Sequence, residues 1–179
     1  MKYLTRLLCV LGLFVSVAFA ESLDETRKKA ESGDATAQSK LGRMYNDGVG
    51  VPKDYAEAVK WCRLAADQGF ALAQVRLGLL YANGNGVPKD SAEAVRWYRL
   101  AADQGDATAQ YALGLMYFLG EGVPKDLVQA HVWWNIAGAN GNKVAKEQLS
   151  TLEKQMTSDQ KAEAMKLARE LFAKLPKQK

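Results

Sequence analysis

The feature that most constrains the fold is a 36-residue unit that occurs three times without a gap, over Gly33–Gln68, Gly69–Gln104 and Gly105–Asn140. The first two units are identical at 24 of 36 positions, and the second and third at 17. Thirteen of the fifteen glycines stand at four fixed positions of this period. Periods of roughly 20–50 residues are typical of solenoids, in which each unit buries its apolar face against its neighbours.

Each unit contains two helix patterns separated by a glycine-rich loop. In the first pattern the apolar positions follow the spacing i, i+4, i+8, as in Ala37, Leu41 and Tyr45. The loop ends in Val-Pro-Lys-Asp in every unit, and a second apolar pattern follows. The spacing predicts first helices over Asp34–Asn46, Leu72–Asn83 and Asp106–Leu119.

The second helix has a predicted start and stop in each unit. The aspartate of Val-Pro-Lys-Asp is the expected N-cap, and a Glu or Gln three residues later completes a capping box. The glycine that opens the next unit is the expected left-handed C-terminal residue. The residues concerned are Asp54, Asp90 and Asp126, then Glu57, Glu93 and Gln129, then Gly69, Gly105 and Gly141.

A glycine also stands inside each first helix, at positions 42, 78 and 114. Glycine in a helix interior costs about 1 kcal/mol relative to alanine. Because the position carries this cost three times, we expect a neighbouring helix to approach closely there.

The repeated residues resemble the Sel1-like repeat family, which is related to tetratricopeptide repeats. The resemblance implies an all-α, right-handed α-solenoid whose members serve as non-catalytic adaptors and scaffolds for other proteins, and many bacterial members are exported. In the first unit it rests on Ala35, Ala37, Gln38, Leu41, Gly42, Tyr45, Gly48, Gly50, Val51, Asp54, Ala58, Trp61, Ala65, Ala66 and Gly69.

The segments outside the three units predict a leader and two end caps. The last helix is expected to begin with the cap pair Thr157 and Gln160 and to bury Ala162, Met165, Ala168, Phe172 and Leu175. The predicted divisions are a signal peptide over 1–20, an N-terminal capping helix over 21–32 that is in part a remnant second helix, a degenerate half-repeat with a C-terminal capping helix over 141–175, and a basic tail over 176–179.

The signal peptide predicts a periplasmic or secreted bacterial protein. A basic start with Lys2 and Arg6 precedes an apolar run that ends in Ala18-Phe19-Ala20, an A-x-A cleavage pattern. The run is shorter than the ~20 residues that a membrane-spanning helix needs, so no span is expected after cleavage. Removing Lys2 and Arg6 leaves 24 − 2 = 22 basic and 20 acidic residues without a basic cluster, so a nucleic-acid partner is not expected.

Residues that could carry chemistry are few, and we expect no cofactor, no metal site and no catalytic constellation. His131 is the only histidine, and Ser158-Asp-Gln-Lys161 matches the S-x-x-K nucleophile motif but also fits a helix start. Cys62 is the only cysteine left after cleavage, which permits either a buried packing role or a mixed disulfide with a partner.

The positions at which the units differ predict the binding surface. The resemblance implies that first helices line the concave face, where ligands of such solenoids usually bind. Along this face the residues change from polar in unit one to apolar in unit three, and an apolar cluster outside the core is a candidate site. The candidates are Ser39, Arg43, Asn46, Val75, Arg76, Leu79, Tyr111, Leu115, Phe118 and Leu119.

Two interpretations of this surface stay open. Either the apolar end binds the partner, or the C-terminal helix covers Tyr111, Leu115 and Phe118 and leaves Arg43 and Arg76 to hold acidic or C-terminal carboxylate groups. The expected function is binding of a partner protein or peptide. The alternatives are a penicillin-binding or β-lactamase-like hydrolase acting through Ser158, and a cell-wall glycan binder that uses exposed aromatic residues.

Overall fold

Nine helices follow one another in the computed structural model, which describes residues 23–176, and no residue in that range belongs to a strand. The predicted signal peptide and the last three residues of the basic tail lie outside the described residues. The helices are α1 (23–31), α2 (Ala35–Asp47), α3 (Tyr55–Asp67), α4 (Ala71–Asn83), α5 (Ser91–Asp103), α6 (Ala107–Leu119), α7 (Leu127–Ala139), α8 (Lys143–Glu153) and α9 (Ser158–Phe172).

Each repeat unit is one pair of helices that pack against each other, and each pair packs against the next pair along the chain. The pairs α2–α3, α4–α5 and α6–α7 are the three units, and α3 packs on α4 as α5 packs on α6. The helix α1 is followed by Gly33, whose φ is positive at 97° like those of Gly69 and Gly105 after α3 and α5, so α1 corresponds to the second helix of a preceding unit. The all-α solenoid expected from the period is confirmed.

The predicted N-caps are confirmed, but the capping boxes of the second helices are not formed. Asp54 Oδ1 accepts hydrogen bonds from the backbone N–H groups of Ala56 and Glu57. The N–H of Asp54 itself donates to the carbonyl of Tyr45 at 3.0 Å. Because that donor is already engaged, the Glu57 carboxylate accepts from Lys60 and from Trp61 Nε1 instead.

The glycines inside the first helices mark the closest approach within each pair, as predicted. A Cβ added to Gly42 would lie 2.6 Å from Cys62 Sγ, and one added to Gly78 would lie 2.7 Å from the Tyr98 ring. At Gly114 the obstacle is the indole of Trp134. Cys62, Tyr98 and Trp134 occupy the same position in successive units, so one contact recurs with a larger side chain each time.

The helices α8 and α9 close the C-terminal end, but the face that α9 buries differs from the prediction. Ala162, Met165 and Phe172 are exposed. The buried face shares only Ala168 and Leu175 with the expected one, because α9 carries two apolar stripes and turns the other one toward α7. That stripe consists of Ala164, Leu167, Ala168, Leu171 and Leu175.

The surface of α7 shows where α9 packs. Val132 and Ile136 are at most 2% exposed. The corresponding residues of unit two are Arg96 and Leu100, and Leu100 is 40% exposed. A helix that is apolar around its circumference is a buried helix, so the loss of charge at position 132 is the sequence signal for this cover.

We expect Gly114→Ala to lower the free energy of unfolding by about 1–3 kcal/mol. The methyl group would overlap the Trp134 indole, which is 2% exposed and has no room to move, and this overpacking outweighs the gain in helix propensity. The measurement is urea unfolding followed by circular dichroism.

The matched control is Gly138→Ala, also in a helix. There the nearest obstacle is Cγ of Lys146 at 2.9 Å, part of a flexible side chain on an exposed residue. This variant should be neutral or more stable by up to about 1 kcal/mol. Equal losses in the two variants would contradict the close contact at Gly114.

Candidate functional site

The side chains of the first helices that are not packed on the second helices define a surface, which we call the first-helix face. Four rows of residues cross it, each row taking one residue from successive first helices at the 36-residue interval. The rows are Thr36, Leu72, Thr108 and Val144; Lys40, Arg76, Ala112 and Gln148; Arg43, Leu79, Leu115 and Thr151; and Asp47, Asn83 and Leu119.

The binding residues predicted from the sequence differ in their exposure to solvent. Arg43, Leu79 and Leu119 are exposed on the first-helix face. Asn46, Val75, Arg76, Tyr111, Leu115 and Phe118 are half-buried. Ser39 is only 6% exposed, so its inclusion in an accessible surface was wrong. It precedes Gly42 by three residues and therefore lies on the side of α2 that faces α3.

The aromatic residues of unit three pack on Trp134 of α7. The Tyr111 and Trp134 ring centroids are 6.1 Å apart, and the Phe118 and Trp134 centroids are 5.5 Å apart. Trp134 Nε1 also donates to the carbonyl of Tyr111 at 3.0 Å. The change from Ser39 to Tyr111 between units thus accompanies the change from Cys62 to Trp134 and contributes to packing between the two helices of the unit.

Sequence comparison of the units missed the most exposed apolar residue of this face. Leu72, in the first turn of α4, is 58% exposed, and its counterpart Val144 in α8 is 46% exposed. Lys40 is exposed as well but was absent from the predicted set. Following the row from Thr36 to Leu72 at the 36-residue interval would have found both apolar residues.

The charges of the second helices are balanced and paired. Arg96 donates to both carboxylate oxygens of Glu93, and this hydrogen bonding lowers the pKa of the Glu93 carboxyl. In unit one the Lys60 ammonium lies 3.0 Å from the carboxylate of Glu57 on the same helix. Arg63 and Arg99 donate to the hydroxyls of Tyr81 and Tyr117, which lie on the first helix that follows each of them.

Cys62 is fully buried between α2 and α3, with its sulfur directed at Gly42. Burial raises the pKa of its thiol to about 12, although the positive charge of Arg76 opposes the shift. A mixed disulfide needs a thiolate within reach of the partner. This environment favours the packing role of the side chain.

His131 is a buried packing residue in this fold, and Ser158 belongs to a helix N-terminus. His131 is inaccessible to solvent, and its Nε2 lies 3.1 Å from Oε1 of Glu153 on α8. A buried imidazole of this kind has no route to a substrate. Ser158 is the first residue of α9, and the predicted cap pair Thr157 and Gln160 forms a complete capping box around it.

The glycan alternative depended on exposed aromatic residues, and the tryptophans do not meet that expectation. Each of the four tryptophans is at most 8% exposed. They serve instead as anchors between helices, with Arg96 stacked 4.2 Å from the Trp97 ring centroid.

Residues 23–176 contain no group of three or more His, Cys, Asp or Glu side chains placed to hold a metal ion. None of their helices has both the length and the apolar character required to cross a membrane.

We expect Cys62 to resist alkylation in the native protein. With a pKa of about 12, roughly one thiol in 10⁴ is ionised at pH 8, against about a quarter for an unperturbed thiol. Reaction with N-ethylmaleimide at pH 8, followed by peptide mass spectrometry, should label Cys62 only when urea unfolds the chain.

The control places a cysteine at exposed Leu64 (43% exposed) in a Cys62→Ala background, and this Leu64→Cys variant should label rapidly. Labelling of native Cys62 at a comparable rate, or a mixed-disulfide species on a non-reducing gel, would contradict the buried role.

Comparison with known proteins supports the interpretation of the period. The model of the Sel1 repeat matches residues 35–70, 71–106 and 107–142. Each match contains one helix pair, and its bounds lie two residues later than the units defined above. A comparison with curated proteins found no match.

Two solved structures are similar to this chain. A Sel1 repeat protein from Oxalobacter formigenes is 43% identical with a TM-score of 0.66, and the match covers 73% of this chain and 98% of that chain. The second is c5321, a protective antigen present in uropathogenic Escherichia coli strains displaying an SLR fold, at 30% identity and a TM-score of 0.67. That match covers 87% of this chain and 41% of the antigen. Because the three matched repeats span more than half of its 179 residues, this chain belongs to the Sel1 repeat family.

Proposed function

We propose that this chain is a non-catalytic interaction module, an adaptor or envelope scaffold, that binds a partner protein or peptide on the first-helix face. The observation that carries the proposal is the exposure of three leucines on two successive first helices, two on α4 and one on α6. Leu72 is 58% exposed, and Leu79 and Leu119 are each 50% exposed. Contiguous exposed apolar side chains are typical of interaction sites.

The frame beneath this surface is suited to recognition without chemistry. Gln38, Gln74 and Gln110 are buried, and each donates to a backbone carbonyl of the preceding unit. These bonds and the close contacts at the helix glycines fix the positions of the first helices, so a partner meets a preformed surface. Preorganisation of this kind lowers the entropic cost of binding. Membership of a repeat family that typically serves protein interaction agrees with this use.

We further propose that the protein works in the periplasm or outside the cell. The support is the leader pattern of residues 1–20, which lie outside the described residues. Amino-terminal sequencing of the protein isolated from the periplasmic or culture fraction should begin at Glu21. A protein that keeps Met1 and stays in the cytoplasm would contradict the export.

A photoreactive residue placed at Leu79 should capture the partner in the cells that produce the protein. The matched control is the same residue at Leu100, a leucine of similar exposure on a second helix. A discrete cross-linked species at position 79 and none at position 100 is the expected result. Cross-linking at position 100 alone would move the site to the second helices.

A substitution tests the same face without a probe. Leu79→Ser should abolish capture and leave the melting temperature within a few degrees of the parent, because half of the side chain is already in water. Phe118→Ala is less suitable, since loss of its contact with Trp134 is expected to destabilise the fold by roughly 2–4 kcal/mol.

A further inference from the structure

We propose that the partner segment is acidic where it meets Lys40 and Arg43 of α2 and Arg76 of α4. It is apolar where it meets the leucines of α4 and α6. This inference rests on the function proposed above and adds the chemistry of the partner. It follows from the charges of the first helices, from their surroundings and from the apolar residues that continue the same surface.

The first helices carry an excess of positive charge that the second helices lack. Together α2, α4 and α6 contain three basic residues, Lys40, Arg43 and Arg76, and one acidic residue, Asp47. By contrast α3 and α5 each contain two basic and two acidic residues. The asymmetry separates the two sides of the solenoid by charge.

The three cations lie close together. Lys40 and Arg43 are one helical turn apart on α2. Arg76 is the counterpart of Lys40 on α4, which contacts α2 directly. Helix axes in contact are roughly 8–10 Å apart, so one short segment can meet all three side chains.

The neighbouring acids form no salt bridge with these three cations within residues 23–176. Asp47 accepts a hydrogen bond from Asn46 at 2.7 Å, and Asp34, which shares a surface cavity with Lys40, caps α2 by accepting from the N–H of Ala37 at 2.6 Å. Glu25 is paired with Lys29 at 2.6 Å, and its pKa is lowered first by that hydrogen bond and only in part by Lys40. Arg43 and Arg76 form no ion pair within residues 23–176, and Nε of Arg76 is buried without a hydrogen-bond partner there.

The surface becomes apolar beyond Arg76. Leu79 and Leu119 are half exposed. Leu115 follows Leu79 in the same row and precedes Leu119 by one helical turn, and α6 contains no charged residue. Helices in contact lie roughly 8–10 Å apart, so an extended chain passes from α2 to α4 in about three residues. The segment is therefore two or three acidic residues next to a short apolar run.

Acidic side chains suit this surface better than a single terminal carboxylate. The cations stand on two helices and on different turns, so several carboxylates match their spacing better than one does. Several carboxylates along a segment can each form a charge-assisted hydrogen bond with one cation.

The test selects random twelve-residue peptides displayed on phage against the intact protein. Selected sequences are synthesised with amidated C-termini and measured by fluorescence anisotropy. Only peptides whose binding is lost in Leu79→Ser are taken further. We expect them to carry an acidic cluster beside apolar residues and to bind more weakly as NaCl concentration rises.

The decisive variant is Arg43→Gln combined with Arg76→Gln, which should raise the Kd of these peptides about tenfold or more. The matched control is Lys60→Gln combined with Arg96→Gln, which removes two cations from the second helices and should leave the Kd unchanged. Melting temperatures of both double variants verify that the fold is intact.

The outcomes separate this inference from the function on which it rests. Peptides that need Leu79 but ignore Arg43 and Arg76 would overturn the acidic partner and leave the binding face in place. Failure to select any Leu79-dependent peptide would count against both. Arginine-dependent co-sedimentation with phosphatidylglycerol vesicles, or a Leu79-dependent dimer in light scattering, would assign the face to a lipid surface or to a second copy and overturn the peptide partner.

Discussion

A buried side-chain amide joins each repeat unit to the one before it, and the rest of the solenoid depends on this bridge. Gln38 Nε2 donates to the carbonyl of Ala30 in α1 at 3.0 Å, and its Oε1 accepts from Gln68 at the end of α3. Gln74 and Gln110 repeat the arrangement. A buried amide left without its partners costs about 1–3 kcal/mol, so each unit is stabilised in one register. That register determines which side of every first helix faces outward.

The two sides of the stack therefore have different chemistry. On the second helices of units one and two, acidic and basic residues are equal in number, and Glu57 pairs with Lys60 as Glu93 pairs with Arg96. In unit three that side is covered by α9. On the first helices, three basic residues and a set of exposed leucines have no comparable cover from any other part of residues 23–176. Exposed apolar residues beside charged ones are typical of interaction sites, and the proposed binding role rests on this contrast.

Local chemistry made much of the fold predictable. Asp54, Gly69 and Gly42 were assigned as cap, left-handed terminus and close contact, and all three assignments are confirmed. The capping box at Glu57 failed because the Asp54 N–H donates to a carbonyl of the preceding helix, a contact that local spacing does not reveal. Ser39 was misplaced for the same kind of reason, since the side on which it lies depends on the approach of α3.

The sequence by itself determined the period, the helix pairs, their caps and the family, because these follow from residues close together in the chain. Only the tertiary structure decided which apolar stripe of α9 is buried. It also decided that Tyr111 and Phe118 pack on Trp134 and that Leu72 remains exposed to solvent. The physical reason is that an apolar side chain has the same local pattern whether a neighbouring helix covers it or a partner does. The burial of such a residue depends on contacts made across units, and these exist only once the helices are stacked.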